Sequence, residues 1–304
     1  MTQQNNPTFA FAVPAYNEIQ TIGVLLERLR TVRWRGQTPS KILVVSDCST
    51  DGTDELVEKI AREEKKFPIV LKGFPVRSGK PAAINNALTE LAGSELVVMV
   101  SADCLPDVGT IEKLLDCFDD PKVGISAGRI VTCGPETNVA VAISKILWDV
   151  HHEIALEVPK STEITIFRNL SISVHQLTLA DEADLEASIK EKGYDLKYSP
   201  DALIFNQAPL TISDYFKQRL RVTLGHMEVS ERKGYSVGTM SFNARFRAIK
   251  KVIQKKEHKL TILFWGVILE SLIYGCATLK YLFYKSSKTG VWSQSASTKR
   301  PFEN

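Results

Sequence analysis

Three places in this 304-residue chain put carboxylates where they can do chemistry. In "VVMVSADCLP" (97–106) an apolar run ends at Ser101-Ala102-Asp103. In "KILVVSD" (41–47) another ends at Asp47. In "ADEADLE" (180–186) Asp181, Glu182, Asp184 and Glu186 stand together. One carboxylate at a strand edge can hold Mg²⁺ or Mn²⁺ if the substrate brings phosphate oxygens. An Asp there also makes a good N-cap for the next helix. Crowded carboxylates raise one another's pKa and so can furnish a general base, or they can simply complement a helix dipole.

Cations accompany these acids. "PVRSGKPAAINNAL" (75–88) places Arg77, Gly79 and Lys80 at a helix start, where free N–H groups and positive charge suit phosphate, or where a basic turn is merely solvated. Neither GxxxxGK[ST] nor GxGxxG occurs. In "SDCSTDGT" (46–53), Ser49, Asp51 and Thr53 read as turn and cap residues. Asp47 is freer to meet a ligand. His151-His152 and His226 fit no metal-ligand spacing, and the pair reads as helix surface or interface.

The elements that must position these groups alternate. Strands are expected at 8–15, 41–47, 69–74 and 95–103, with helices at 19–32, 49–66 and 79–93. Apolar strands without strict alternation, separated by helices, predict an α/β doubly wound, mostly parallel sheet covered on both faces. Such sheets bind ligands at the carboxyl ends of their strands, which is where Tyr16, Glu18, Asp47 and Asp103 fall. Beyond Gly128 the pattern gives short strands, a helix at 138–157, another after the acidic turn at 179–186, and an amphipathic helix over 211–234.

The charge is divided. Residues 241–304 hold 12 Lys and Arg against 3 Asp and Glu, while the first 240 hold 26 against 32. A basic end on an acidic body points to an anionic surface. Leu260–Leu279 carries a single charge, Glu270, and follows seven Lys and Arg between Arg245 and Lys259. At 1.5 Å per residue a helix there is roughly 30 Å long, a bilayer's thickness. This favours membrane over nucleic acid as the partner. The alternatives are a buried helix or an interfacial one, and basic flanks on both sides leave orientation open. The division expected is a catalytic domain over 1–210, basic amphipathic helices over 211–259, a membrane helix over 260–282 and a basic tail over 283–304. Five scattered Cys suit a reducing compartment, and the N-terminus shows no signal-peptide pattern.

Taken in order, "VPAYNE", "SDCSTDGT", "RSGKPAAIN", "SADC", "DEADL" and "QRLRVTLGH" resemble the motifs of family 2 glycosyltransferases of the GT-A fold, over about residues 8–230. "VWSQSASTKR" resembles the tail that follows membrane helices in polysaccharide-synthase members. The resemblance implies a nucleotide-diphosphate sugar donor, UDP- or GDP-linked, and a Mg²⁺ or Mn²⁺ cofactor. Asp103 matches the second acid of D-x-D and so the metal ligand, while Ser101 replaces the first and Ala102 lies between. Pro14, Tyr16 and Glu18 match the donor-binding strand end, Asp47 the acid that meets the base, and Arg77, Gly79 and Lys80 the donor loop. The catalytic acid pair appears inverted, as Asp181-Glu182, with Glu182 in register for the base and Asp181 as fallback. Gln218, Arg219 and Arg221 match most of QxxRW, with Val222 in place of Trp, which argues against a long processive polymer.

These matches imply an inverting, metal-assisted transfer to a lipid-linked or membrane-proximal saccharide acceptor at the cytoplasmic face of the cell membrane. The rivals are a catalytically lapsed sugar-nucleotide-binding homologue, which the three motif departures motivate, and a sugar nucleotidyltransferase.

Overall fold

The computed structural model describes residues 6–283 and 296–302. The first half is built from β1 (Phe9–Ala15), α1 (Ile22–Arg30), β2 (Ile42–Ser46), α2 (Thr53–Glu63), β3 (Ile69–Gly73), α3 (Lys80–Glu90) and β4 (Leu96–Val100). These strands pair in parallel in the order β3-β2-β1-β4. Along β1, Phe9, Phe11 and Val13 pack on one face with Ile22, Leu26 and Trp34. Ala10 and Ala12 face the other way, toward Ala83, Ile84 and Ala87 of α3. β1, β2 and β4 are therefore buried on both sides, which is why their sequences do not alternate, whereas β3 at the edge exposes Val70.

After β4 the sheet becomes mixed. A short strand, β5 (Cys104–Pro106), follows Asp103 directly, then α4 (Thr110–Leu115), β6 (Val123–Cys133), α5 (Val139–Glu157), β7 (Ile164–Arg168), α6 (Asp181–Glu191) and β8 (Asp195–Gln207). β7 inserts antiparallel between β4 and β6, and β5 pairs antiparallel with β8. The full order is β3-β2-β1-β4-β7-β6-β8-β5. Three residues, "CLP", are too few to show a period, so β5 was not expected. It exists because β8 offers an edge, and its pairing of Cys104 with Asn206 anchors the turn that carries Asp103.

Three helices complete the described chain: α7 (Ile212–Lys233), α8 (Phe242–Lys255) and α9 (Leu260–Phe283). The expected basic tail lies mostly outside the described residues. Its described part, 296–302, lies against the end of β8, the start of α7 and the turn after β1. Ser297 Oγ donates to Asp214 at 2.6 Å, Arg300 Nη2 donates to the Ala208 carbonyl at 2.9 Å, and Lys299 pairs with Glu18. His151 and His152, expected on a helix surface or interface, are buried. His152 Nδ1 lies 2.9 Å from the Tyr198 hydroxyl, and burial holds both imidazoles below their usual pKa. His152 thus faces β8, whereas His151, with its ring centroid 4.9 Å from that of Trp148, faces the charges of Lys160 and Arg219.

Candidate active site

The carboxyl ends of β1 and β2 are latched together by short polar side chains. Asn17 N–H donates to Ser49 Oγ at 3.1 Å and Thr50 N–H returns to Asn17 Oδ1 at 2.9 Å. Glu18 N–H donates to Thr53 Oγ1 at 2.8 Å, and Ile19 N–H to Asp51 Oδ2 at 3.1 Å. Ser49, Asp51 and Thr53 thus shape the turn, as their types suggested. Asn17 and Cys48 both sit at positive φ, 52° and 64°, a conformation that non-glycine residues hold only where neighbours over-determine it.

Asp47 joins this edge to the loop before α3. Its carboxylate accepts from Ser78 N–H at 2.6 Å and Gly79 N–H at 2.8 Å. Gly79 has φ +93°, open only to glycine without strain, so the loop turns there and delivers Lys80 into the cleft. The Arg77 guanidinium stacks 4.1 Å from the Tyr16 ring centroid, a cation–π contact at the mouth of the same cleft. Pro14 is within β1, opposite Val45.

Lys80 is the hub. Its ammonium lies 2.8 Å from Asp181 Oδ2, 3.3 Å from Glu182 Oε1 and 3.4 Å from Ser101 Oγ. It therefore ties the donor loop, the end of β4 and the acid pair on α6 into one cluster. Burial opposes its charge, but Asp181, Glu182 and Glu163 more than offset this and hold its pKa well above the ordinary value. α6 is placed for this by α7. A Cβ on Gly225 would come within 2.8 Å of Ala180, so only glycine lets α7 lie against the start of α6.

The two acids of the pair differ. Asp181 keeps 5% of its side chain exposed and Glu182 26%, so Glu182 is the one open to the cleft. Burial and Glu182 push the Asp181 pKa up. For Glu182, burial is outweighed by Lys80, its own backbone N–H, Lys160 and Arg221, and its pKa falls. Glu182 is thus ionised at neutral pH and has room to meet a hydroxyl. The neighbouring acids serve the scaffold. Asp184 is 3.0 Å from Arg232 and 3.3 Å from Lys233, and Glu186 accepts from Ser161 at 2.7 Å.

Glu163 was not among the expected site residues. It stands opposite Ser101, just before β7, and accepts a hydrogen bond from Ser101 Oγ at 3.0 Å. Burial, then repulsion from Glu182, raise its pKa to about 7, with Asp103 adding to the effect and Lys80 opposing it. The antiparallel insertion of β7 brings it there, which no local pattern announces. Lys160, also unexpected, is buried, and burial lowers its pKa. Ala102 is buried, whereas Asp103 is only half-buried.

α7 divides its motif residues. Arg221 lends its field to Glu182. Arg219 grips Glu270 of α9, with Nε–Oε1 at 3.0 Å and Nη2–Oε2 at 3.1 Å, while Tyr215 donates to the same carboxylate at 2.6 Å. Arg219 thereby supplies the partner that Glu270 needs in an apolar helix. Gln218 is half-buried on the same helix.

The glycosyl transferase family 2 model matches residues 10–176, more than half of the chain. The chain belongs to glycosyl transferase family 2. Among curated relatives it is 25% identical over 243 residues to poly-beta-1,6-N-acetyl-D-glucosamine synthase of Staphylococcus aureus, covering 74% of this chain. It spans only 56% of that enzyme's length. Among solved structures it is similar to mannosyltransferase PcManGT from Pyrobaculum calidifontis, in complex with GDP-Man and Mn²⁺. There the TM-score is 0.66 at 20% identity, over 93% of this chain and 89% of that one. The GT-A-like mixed, mostly parallel sheet is thereby shared. Family membership places the chain among the glycosyl transferases.

Proposed function

We propose that the protein transfers a sugar from a UDP- or GDP-linked donor, with inversion, to a lipid-linked or membrane-proximal saccharide acceptor at the cytoplasmic face of the cell membrane. The observation that carries this reading is the Lys80 hub, which fixes Glu182 against the donor loop and the end of β4. The donor's nucleoside would lie along Tyr16, Glu18 and Asp47, and its phosphates near Arg77, Gly79 and Lys80. The oxygen donors present fit a hard divalent cation: Asp103 is half-buried beside the cleft, and Glu163 brings a carboxylate to the side chain that stands where D-x-D has its first acid. Asp103 and Glu163 would hold Mg²⁺ or Mn²⁺, which supplies positive charge to the donor diphosphate when bound.

In the transfer itself, Glu182 accepts the proton of the acceptor hydroxyl as its oxygen bonds to the anomeric carbon. The bond to the diphosphate breaks on the opposite side, and the nucleoside diphosphate leaves with that electron pair. Arg221 adds positive charge near the pair. Help from a general base of this kind is typically worth ~10² to 10⁴ in rate. The test is a screen of UDP- and GDP-sugars with Mn²⁺ or Mg²⁺, reading nucleotide release. Release that depends on Asp103 and Glu182 supports the reading. Donor binding with no turnover, whatever acceptor is supplied, supports the lapsed homologue that Ser46, Ser101 and the inverted acid pair motivate.

A further inference from the structure

We infer that α9 docks lengthwise on an anionic bilayer surface and holds the enzyme there without crossing it. The inference deepens the proposed membrane-proximal function and rests on it for the acceptor's location only. By length and composition α9 is able to cross a membrane. Its contacts place it elsewhere. Leu263 packs with Ile146 and Val252, Gly266 lies 3.6 Å from Ile143 at its Cβ position, and Ile273 is enclosed with Ile143 and Tyr215. Glu270 is held by Tyr215 and Arg219, Tyr274 lies 5.3 Å beneath Arg245, and Tyr281 donates to Glu231. α9 is thus fastened at successive turns, from one end to the other, to helices of the catalytic body.

α7, one of those helices, carries Lys217, Arg219, Arg221, Glu228, Glu231 and Arg232. Burying α9 upright in hydrocarbon would drag these charges in with it, at a cost of several kcal/mol each on most scales. The chain beyond α9 agrees. Ser297 and Arg300 are bonded to Asp214 and Ala208, on the catalytic side. A helix that crossed once would leave them on the far side.

The outward face of α9 is long and uncharged. Phe264, Trp265, Leu272, Leu279, Leu282 and Phe283 recur at helical spacing, with Phe264 60% and Trp265 62% exposed. A contiguous apolar face of this kind on a soluble body marks a docking surface. Beside it α8 exposes Phe246 and Ile253. Lys250, Lys256 and Lys259 at this rim are exposed and, among the described residues, form no ion pair. A second copy of the chain would bring like charges together, whereas anionic headgroups neutralise them. A helix with an apolar face and a basic rim lies in the interface roughly 5–10 Å deep.

The experiment uses the full chain with phosphatidylcholine vesicles, with and without phosphatidylglycerol. Depth is read by brominated-lipid quenching of Trp265, or of Leu272→Trp or Leu282→Trp in a Trp265→Phe background. Expected are binding that needs phosphatidylglycerol and falls with salt, equal shallow depths at 265, 272 and 282, and about tenfold or greater loss of binding in Phe264→Glu/Trp265→Glu with unchanged thermal melting. A probe at 272 far deeper than those at 265 and 282 overturns the inference in favour of a span. Binding to neither vesicle, or a dimer in which the α9 face is covered, also overturns it. Mn²⁺-dependent binding of UDP or GDP, measured on the same samples, separates this from the function. The binding persists if only the placement of α9 is wrong, and its absence counts against the transferase reading alone.

Discussion

The donor edge and the acid cluster are built in opposite ways. At the donor edge, Asn17, Ser49, Asp51 and Thr53 are occupied by backbone N–H groups within the same two loops, and Asp47 by those of a third. Few charges face one another. In the acid cluster, Asp181, Glu182 and Glu163 crowd around one Lys80, and four elements distant in sequence contribute. The first region gains shape from local hydrogen bonds and is set before a ligand arrives. The second holds mutual repulsion that a cation and a diphosphate would rearrange. The two regions thus differ in the kind of interaction that maintains each.

The sharpest way to break the contrast is Lys80→Met. It removes the counter-charge from buried Asp181 and half-buried Glu182, and losing one partner of a buried pair costs about 3–5 kcal/mol. Urea unfolding at pH 7 should show a loss of that order, together with an upward shift in the apparent pKa of the pair. Next, Arg219→Ala leaves Glu270 with the Tyr215 hydrogen bond and the more distant charge of Arg245. A loss of about 1–3 kcal/mol is expected, and hydrogen exchange should rise in α9 but not at residues 75–80. Asp47→Asn keeps one good acceptor for two N–H donors. Its effect, about 1–2 kcal/mol, should appear as faster exchange at Ser78 and Gly79 and a higher donor KM, with little change in kcat.

The smallest effect concerns pH. Glu163 has its folded pKa raised to about 7, above the ordinary Glu value near 4.3. Between those values the folded chain holds a proton that the unfolded chain has lost, so stability falls as pH rises through the window. Melting without metal at pH 5 and pH 8 should show the wild type losing on the order of 1–2 kcal/mol that Glu163→Gln does not lose. Equal pH dependence in the two proteins would remove Glu163 from the repulsive cluster.

Much of this was legible in the sequence because it is local. The strands β1 to β4 follow from apolar runs bounded by turns, and the caps at 49–53 from residue type. What sequence did not show is long-range. The insertion of β7 beside β4 brought Glu163 to Ser101, and α9 claimed Arg219 by offering an unpaired carboxylate. The three-residue β5 was invisible because its strand character comes from β8. Asp181 and Glu182 were expected together, but their unequal exposure depends on how α7 packs at Gly225, a tertiary fact.

The central claim is that Glu182, set by Lys80, takes the acceptor proton. The direct test compares Glu182→Gln with wild type for donor affinity, by calorimetry with the accepted nucleotide sugar and Mn²⁺, and for single-turnover transfer. The account predicts affinity within about threefold and a transfer rate reduced about 10²-fold or more. Transfer at the wild-type rate in Glu182→Gln would contradict it.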